Sequence, residues 1–210
     1  PELPVLVVDD GSNDATETVV ADLDVRWLRL REHLGIGGAM RAGLRYAGRL
    51  GYDTVIRIDG DGQHEPDDIG RLLGPIQEGR ADAVQGSRYR GVPGYHKTGL
   101  WRIGQRVLAA SLSVATRQTL TDPTSGFWAF GPRAVRVLGD HHPRGYPEPE
   151  LLLFLRRNGL RVVEVPVRMR DRVAGRTSLT VPRAGMAFAC LMLALVVVPL
   201  RETVEAAAGD

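Results

Sequence analysis

Short apolar runs alternate with amphipathic stretches along the first half of the chain. Val5-Leu6-Val7-Val8 is apolar at every position, which predicts a strand buried on both faces. It stops at Asp9-Asp10-Gly11-Ser12-Asn13-Asp14, where a turn capped by Ser12 or Asp14 leads into a helix over Ala15 to Ala21. Val25 to Leu30 reads as a second strand, followed by the turn Gly35-Ile36-Gly37-Gly38 and a helix from Ala39 to Leu50. Thr54 to Ile58 is a third strand, ending in Asp59-Gly60-Asp61-Gly62-Gln63. Pro66 opens another helix, with Asp67 and Asp68 at its positive end, and Ala81 to Gln85 is a fourth strand. Strand and helix alternating at this spacing predict a mostly parallel, Rossmann-like sheet in a three-layer α/β/α sandwich.

The second half is less regular. It predicts a helix over Leu100 to Thr116, a short strand Phe127 to Phe130, a helix over Pro149 to Arg157 and a strand over Leu160 to Val167. From Ala184 to Leu200 no residue is charged. As a helix this run reaches roughly 25 Å at ~1.5 Å per residue, short of a ~30 Å hydrocarbon core. Gly185 and Pro199 weaken it as a span, so the expectation is a helix lying at an interface or packed on a membrane partner. The chain thus divides into an α/β domain over residues 1–181 and an apolar C-terminal helix over 182–205.

Composition adds a few exclusions. The chain has 210 residues, 43% hydrophobic and 25% charged, which fits a globular domain and not a disordered chain. A single cysteine excludes a disulfide framework and any multi-cysteine metal site. The net charge of +2 is too small to point to nucleic acid. Of the 27 basic residues only Lys97 is a lysine, and between Leu151 and Arg183 eight arginines face two acids. Such a stretch suits a phosphate ligand or an anionic membrane surface.

Ligands of open parallel sheets collect at the carboxyl ends of the strands, where two acidic turns fall here. Asp59 and Asp61, two residues apart, can face one ion, with Gln63 adding a neutral oxygen. Oxygen-only ligands favour Mg2+ or Mn2+, which commonly bridge to substrate phosphates. A calcium loop counted from Asp59 would need Gly at its sixth and Glu at its twelfth position, where His64 and Gly70 stand. A phosphatase of the haloacid dehalogenase type would need Thr or Val in place of Gln63 and a catalytic lysine for which only Lys97 exists. Plain helix capping by the acidic turns is the remaining alternative. The glycine turn lacks the third glycine of a dinucleotide fingerprint, since Met40 stands there.

Six segments occur in order: Val7-Val8-Asp9-Asp10-Gly11-Ser12, His33-Leu34-Gly35-Ile36-Gly37-Gly38-Ala39, Asp59 to His64, Gly86-Ser87-Arg88-Tyr89, Thr121 to Phe127 and Glu164-Val165-Pro166-Val167. Together they resemble the family 2 glycosyltransferases of GT-A fold, in particular the dolichyl- and polyprenyl-phosphate sugar synthases, over Val5 to Leu179. The resemblance implies an inverting sugar transfer from a nucleotide diphosphate sugar. It implies that Asp9 and Asp10, with Ser12, contact base and ribose, and that His33, Gly35 and Gly37 line the same pocket. It assigns the Mg2+ or Mn2+ ion to Asp59, Asp61 and Gln63, with Asp59 also on the donor. Arg88, Arg172 and Arg102 would face the phosphates, and Asp122 the acceptor side. Family members commonly have Lys where Ser178 stands and Asn where His33 stands. They also carry a strand and helix ahead of the Asp-Asp-Gly-Ser strand, so this stretch is expected to lack them and to bind nucleotide weakly alone.

A lipid phosphate acceptor is already an anion near neutral pH, its second pKa being about 6, and needs positive charge more than a base. An alcohol acceptor needs a carboxylate to take its proton, for which Asp122, Glu148 and Glu150 are the candidates. The basic stretch and the apolar run favour polyprenyl phosphate, at the cytoplasmic face of a membrane to which the protein binds peripherally. The alternatives are transfer to a saccharide hydroxyl of a cell-wall or surface glycan, and a non-catalytic nucleotide-sugar binding module with a membrane partner.

Overall fold

The computed structural model describes residues 3–90, 100–143 and 147–170. Six strands and six α-helices follow one another as β1 (Leu6–Asp9), α1 (Thr16–Ala21), β2 (Arg26–Arg29), α2 (Gly35–Arg49), β3 (Val55–Arg57), α3 (Ile69–Gln77), β4 (Ala83–Ser87), α4 (Leu100–Thr116), β5 (Trp128–Phe130), α5 (Pro132–His141), α6 (Pro147–Arg157) and β6 (Val162–Pro166). A 3-10 turn at Pro66–Asp68 precedes α3. The expected apolar helix at 182–205 and Arg172 lie outside the described residues. No described helix is long and apolar enough to cross a membrane.

The strands form two sheets. β1 and β2 pair in parallel, Leu6 opposite Arg26. The larger sheet has the order β3-β5-β4-β6, in which β4 and β6 are parallel and β5 runs against both of its neighbours. β3, β4 and β6 therefore share one direction, and only β5 opposes it. Among the described residues β1 and β3 each keep an edge without a strand partner. Leu6, Val7 and Val8 are accordingly half-buried rather than enclosed on both faces as their apolar run predicts. Helix α2 packs on both β1 and α5 and so ties the small sheet to the body of the protein.

The period-two alternation of side chains along a strand divides the large sheet into two cores. Val55, Ala83, Trp128, Phe130 and Val162 face a cluster with Leu44 of α2, Leu112 of α4, Leu138 of α5 and Leu151, Leu152 and Leu155 of α6. Ile56, Val84, Phe127, Ala129 and Val163 face Leu72, Ile69 and Ile76 of α3. Helices thus cover both faces, as the three-layer reading expects.

Two elements differ from that reading. Helix α2 begins at Gly35, so Gly37 and Gly38 belong to its first turns instead of a preceding loop. Only Gly35 has a positive φ there, 74°. Helix α5, not anticipated from the sequence, starts with Pro132 in its first turn, where the missing N–H costs nothing, and buries Ala134, Val135 and Leu138.

His142, at the end of α5, is buried; its Nδ1 donates to the Pro143 carbonyl at 2.8 Å and its Nε2 has no partner among the described residues. Burial lowers its pKa from 6.5 to about 4. Between these values the unfolded chain binds a proton that the native state refuses, so this contribution to stability is full above ~6.5 and lost as the pH falls toward 4. The expected loss is roughly 3 kcal/mol, at ~1.4 kcal/mol per pKa unit. Urea unfolding at pH 7 and pH 4 should show it in the native protein, and H142Q should flatten that part of the dependence.

Candidate active site

Three polar assemblies stand at the carboxyl ends of the strands. The first is the turn after β1. Asp9 is buried and accepts the Ser12 N–H at 2.8 Å, and these Ser12 hydrogen bonds hold its carboxyl below the ordinary value. Asp10 accepts the Leu34 N–H at 2.7 Å, and His33 Nδ1 lies 2.9 Å from Asp10 Oδ2. Gly11 takes φ 81°, which lets the turn close against the backbone of His33. The structure thus joins Asp9, Asp10, Ser12, His33 and the start of α2 at Gly35 into one rim, as the sequence motifs anticipate.

The second assembly follows β3. The turn is anchored from inside by His64, which is buried, stacks on Phe127 at 4.7 Å and accepts the Asp59 N–H on Nδ1 at 3.0 Å. That bond places the imidazole proton on Nε2, and burial keeps its pKa below the ordinary value. Asp61 accepts the Gln63 N–H at 3.0 Å, and Gly62 turns the chain with φ 75°. Gln63 in turn accepts the Arg170 N–H at 2.9 Å, while Arg170 forms a two-pronged pair with Glu65. The chain at Arg170 therefore passes directly beside the acidic turn.

Asp59 itself is held on one side only. Its Oδ1 accepts from Arg57 Nε at 2.9 Å, and its Oδ2 has no hydrogen-bond partner among the described residues. The free oxygen lies over Gly126: a Cβ there would overlap Asp59 Oδ2 and stand 3.1 Å from Arg57 Nη2. Arg57 is buried and reaches on to Glu148 Oε1 at 3.0 Å, at the start of α6. Burial works against the Arg57 cation, but Asp59 and Glu148 outweigh it and keep it charged. Burial raises the pKa of Glu148, and Arg57 opposes that rise. No three His, Cys, Asp or Glu side chains gather around a point where a metal could sit, among the described residues. The donor set nevertheless fits a hard cation. Asp59, Asp61 and a Gln63 oxygen are an oxygen-only set that would suit Mg2+, with phosphate and water for the remaining positions, and no hydrogen bond among the described residues engages Asp59 Oδ2.

The third assembly follows β4. Arg88 and Asp122, assigned by resemblance to the donor phosphates and the acceptor, are paired with each other. Asp122 is fully buried and accepts from Arg88 N at 3.0 Å, Nε at 2.6 Å and Nη2 at 2.6 Å. Arg88 also donates to Thr124 at 2.8 Å. Glu164, buried on β6, accepts from the backbone of Thr121 and Asp122 and from the Thr121 hydroxyl. A carboxylate so enclosed and so fully used is a structural anchor for the 121–125 loop, because freeing it would strand a buried charge. Arg102 is half-buried on α4, and Glu150 half-buried on α6.

Sequence reasoning gave no role to Arg57, His64, Gly126 or Glu164. A signal existed for Arg57, a charge inside the otherwise apolar stretch Val55-Ile56-Arg57-Ile58. The partners of Glu164 and Gly126 lie far away in the chain and leave no local trace.

Among solved structures the chain superposes on glucosyl-3-phosphoglycerate synthase from Mycobacterium tuberculosis, in complex with Mn2+, UDP and glucosyl-3-phosphoglycerate. The TM-score is 0.63 at 23% identity, covering 93% of this chain and 68% of that one. A second likeness, at TM-score 0.54 and 17% identity, is to mannosyl-3-phosphoglycerate synthase from Rubrobacter xylanophilus. The fold is that of the GT-A glycosyltransferases. Residues 1–139 match Glycosyl transferase family 2, and the chain belongs to that family. Among its relatives are undecaprenyl-phosphate mannosyltransferase of Micrococcus luteus, 34% identical over 86% of this chain and 77% of that protein, and polyprenol monophosphomannose synthase of Mycolicibacterium smegmatis, 33% identical over 86% and 71%. UDP-N-acetylglucosamine–dolichyl-phosphate N-acetylglucosaminyltransferase of Methanococcus voltae is 29% identical over 78% and 73%.

Proposed function

We propose that this glycosyltransferase moves a sugar from a nucleoside diphosphate sugar to a polyprenyl phosphate, with Mg2+ or Mn2+ held by Asp59, Asp61 and Gln63. The observation that carries the reading is the Asp59 carboxylate, clamped by Arg57 through one oxygen and without a hydrogen bond among the described residues at the other, at the end of a strand of a GT-A sheet. Three relatives named for lipid-phosphate acceptors support the acceptor class. When bound, the ion stabilises negative charge on the departing nucleoside diphosphate. Asp9, Asp10 and Ser12 form the rim that takes the nucleoside end of the donor. The acceptor phosphate oxygen attacks the anomeric carbon from the side opposite the leaving group, its bond to the diphosphate oxygen breaks, and the configuration inverts. An anionic phosphate needs no proton removed, which agrees with an Asp122 enclosed by Arg88 and a Glu148 engaged by Arg57. The lipid acceptor places the work of the protein at a membrane surface, and we assign it to the cytoplasmic face.

The test is transfer of radiolabelled sugar from the donor to polyprenyl phosphate. Label in the solvent-extractable lipid is the expected outcome. Label appearing only in water-soluble glycan would replace this acceptor with a saccharide hydroxyl.

A further inference from the structure

We infer that Arg57 is a positioning residue for the cation site: its forked guanidinium, anchored on Glu148, fixes the Asp59 carboxylate so that one oxygen faces the ion. The inference rests on the proposed metal site and extends it to two residues that do not touch the ion. Arg57 Nε donates to Asp59 Oδ1 at 2.9 Å and Arg57 Nη2 to Glu148 Oε1 at 3.0 Å. One planar group thus spans the acidic turn after β3 and the first turn of α6, 91 residues further along the chain.

Stability does not account for this arrangement. Arg57 is buried on a short strand, and its Nη1 has no partner among the described residues. A buried donor left unmade costs about 1–3 kcal/mol, and a buried ion pair is often no better than apolar residues of the same volume. What the pair does is geometric. Arg57 holds the Asp59 carboxylate through Oδ1, while Oδ2 lies against the bare Cα of Gly126 with no hydrogen bond among the described residues. Partners of this kind, which orient a ligand from outside the coordination sphere, typically govern affinity by about 10–100-fold.

The fork, rather than the charge, is what the inference requires, and lysine separates the two. R57K keeps the cation but has a single ammonium that cannot bridge Asp59 and Glu148 in one plane. Mn2+ binding to the protein with nucleoside diphosphate present is read by electron paramagnetic resonance and calorimetry, with circular dichroism and thermal unfolding as controls of folding. The expected result is a Kd for Mn2+ raised about 10–100-fold in R57K. An R57K affinity within twofold of the native protein, with D59N abolishing binding, would overturn the role of Arg57 and leave the metal site standing. A D59N variant that binds Mn2+ normally would overturn both. Should R57K not fold, E148A and E148Q read the same link from its other end. Both remove the charge, but only Gln can still accept from Arg57 Nη2. E148A is expected to bind Mn2+ at least fivefold more weakly than E148Q, and equal affinities would refute the inference.

Discussion

Replacing Asp61 by Asn should lower sugar transfer by about three orders of magnitude while leaving the fold intact. Asn retains the oxygen that accepts the Gln63 N–H at 3.0 Å, so the turn after β3 keeps its shape. What disappears is one of the two negative charges of the proposed cation site. A metal ion at a leaving diphosphate supplies several kcal/mol of charge stabilisation, and about 4 kcal/mol corresponds to roughly a thousandfold at ~1.4 kcal/mol per tenfold. Chelation of divalent ions in the native protein should reproduce the loss, and added Mn2+ should restore the native protein much more than the variant. Initial rates with and without chelator, for both proteins, check this. Undiminished transfer by D61N would remove Asp61 from the site.

The second large effect concerns stability. R88M should cost about 3–5 kcal/mol, because it leaves the Asp122 carboxylate buried without its cation. The backbone N–H of residue 88 and the hold of Glu164 on the adjacent backbone remain in R88M, so the damage should centre on the Asp122 carboxylate. The double variant R88M/D122N should recover much of the loss, since no uncompensated charge remains. Denaturant unfolding of the three proteins measures it. The same variants decide between the observed pairing and the phosphate role that the motif alone suggests. An Arg88 serving the donor would give R88M an activity loss with the stability unchanged.

These two sites show what local sequence conveys and what it does not. The strand-end motifs are short and contiguous, so Asp9 with Asp10 and Asp59 with Asp61 were legible as acidic turns, and the structure puts each where its strand ends. Long helices with a clear apolar face were legible too, α4 over Leu100–Thr116 among them. Glycine obscured the start of α2, because three glycines in four residues read as a loop. At Gly43 of the same helix a Cβ would stand 3.0 Å from Val8, so close helix-to-strand packing is a reason for glycine there. Helix α5 was hidden by its opening Gly131-Pro132 and by Gly139, although Ala134, Val135 and Leu138 carry the apolar face. The pairings that distinguish anchor from reactive group, Arg88 with Asp122 and Arg57 with Glu148, span 34 and 91 residues. No periodicity reports such contacts, because tertiary packing alone decides which charges meet. The motifs therefore mark the acidic turns at the strand ends, while the enclosure of Asp122 by Arg88 is visible only in the packed structure.

Crystals of the protein grown with Mn2+ and a nucleoside diphosphate, measured at the manganese absorption edge, address the central claim without any assay of turnover. One anomalous peak is expected in coordination distance of Asp59 Oδ2 and the Asp61 carboxylate, with the diphosphate completing its sphere and Arg57 still on Asp59 Oδ1. A diphosphate bound with no manganese at these carboxylates, or manganese bound elsewhere in the protein, would contradict it.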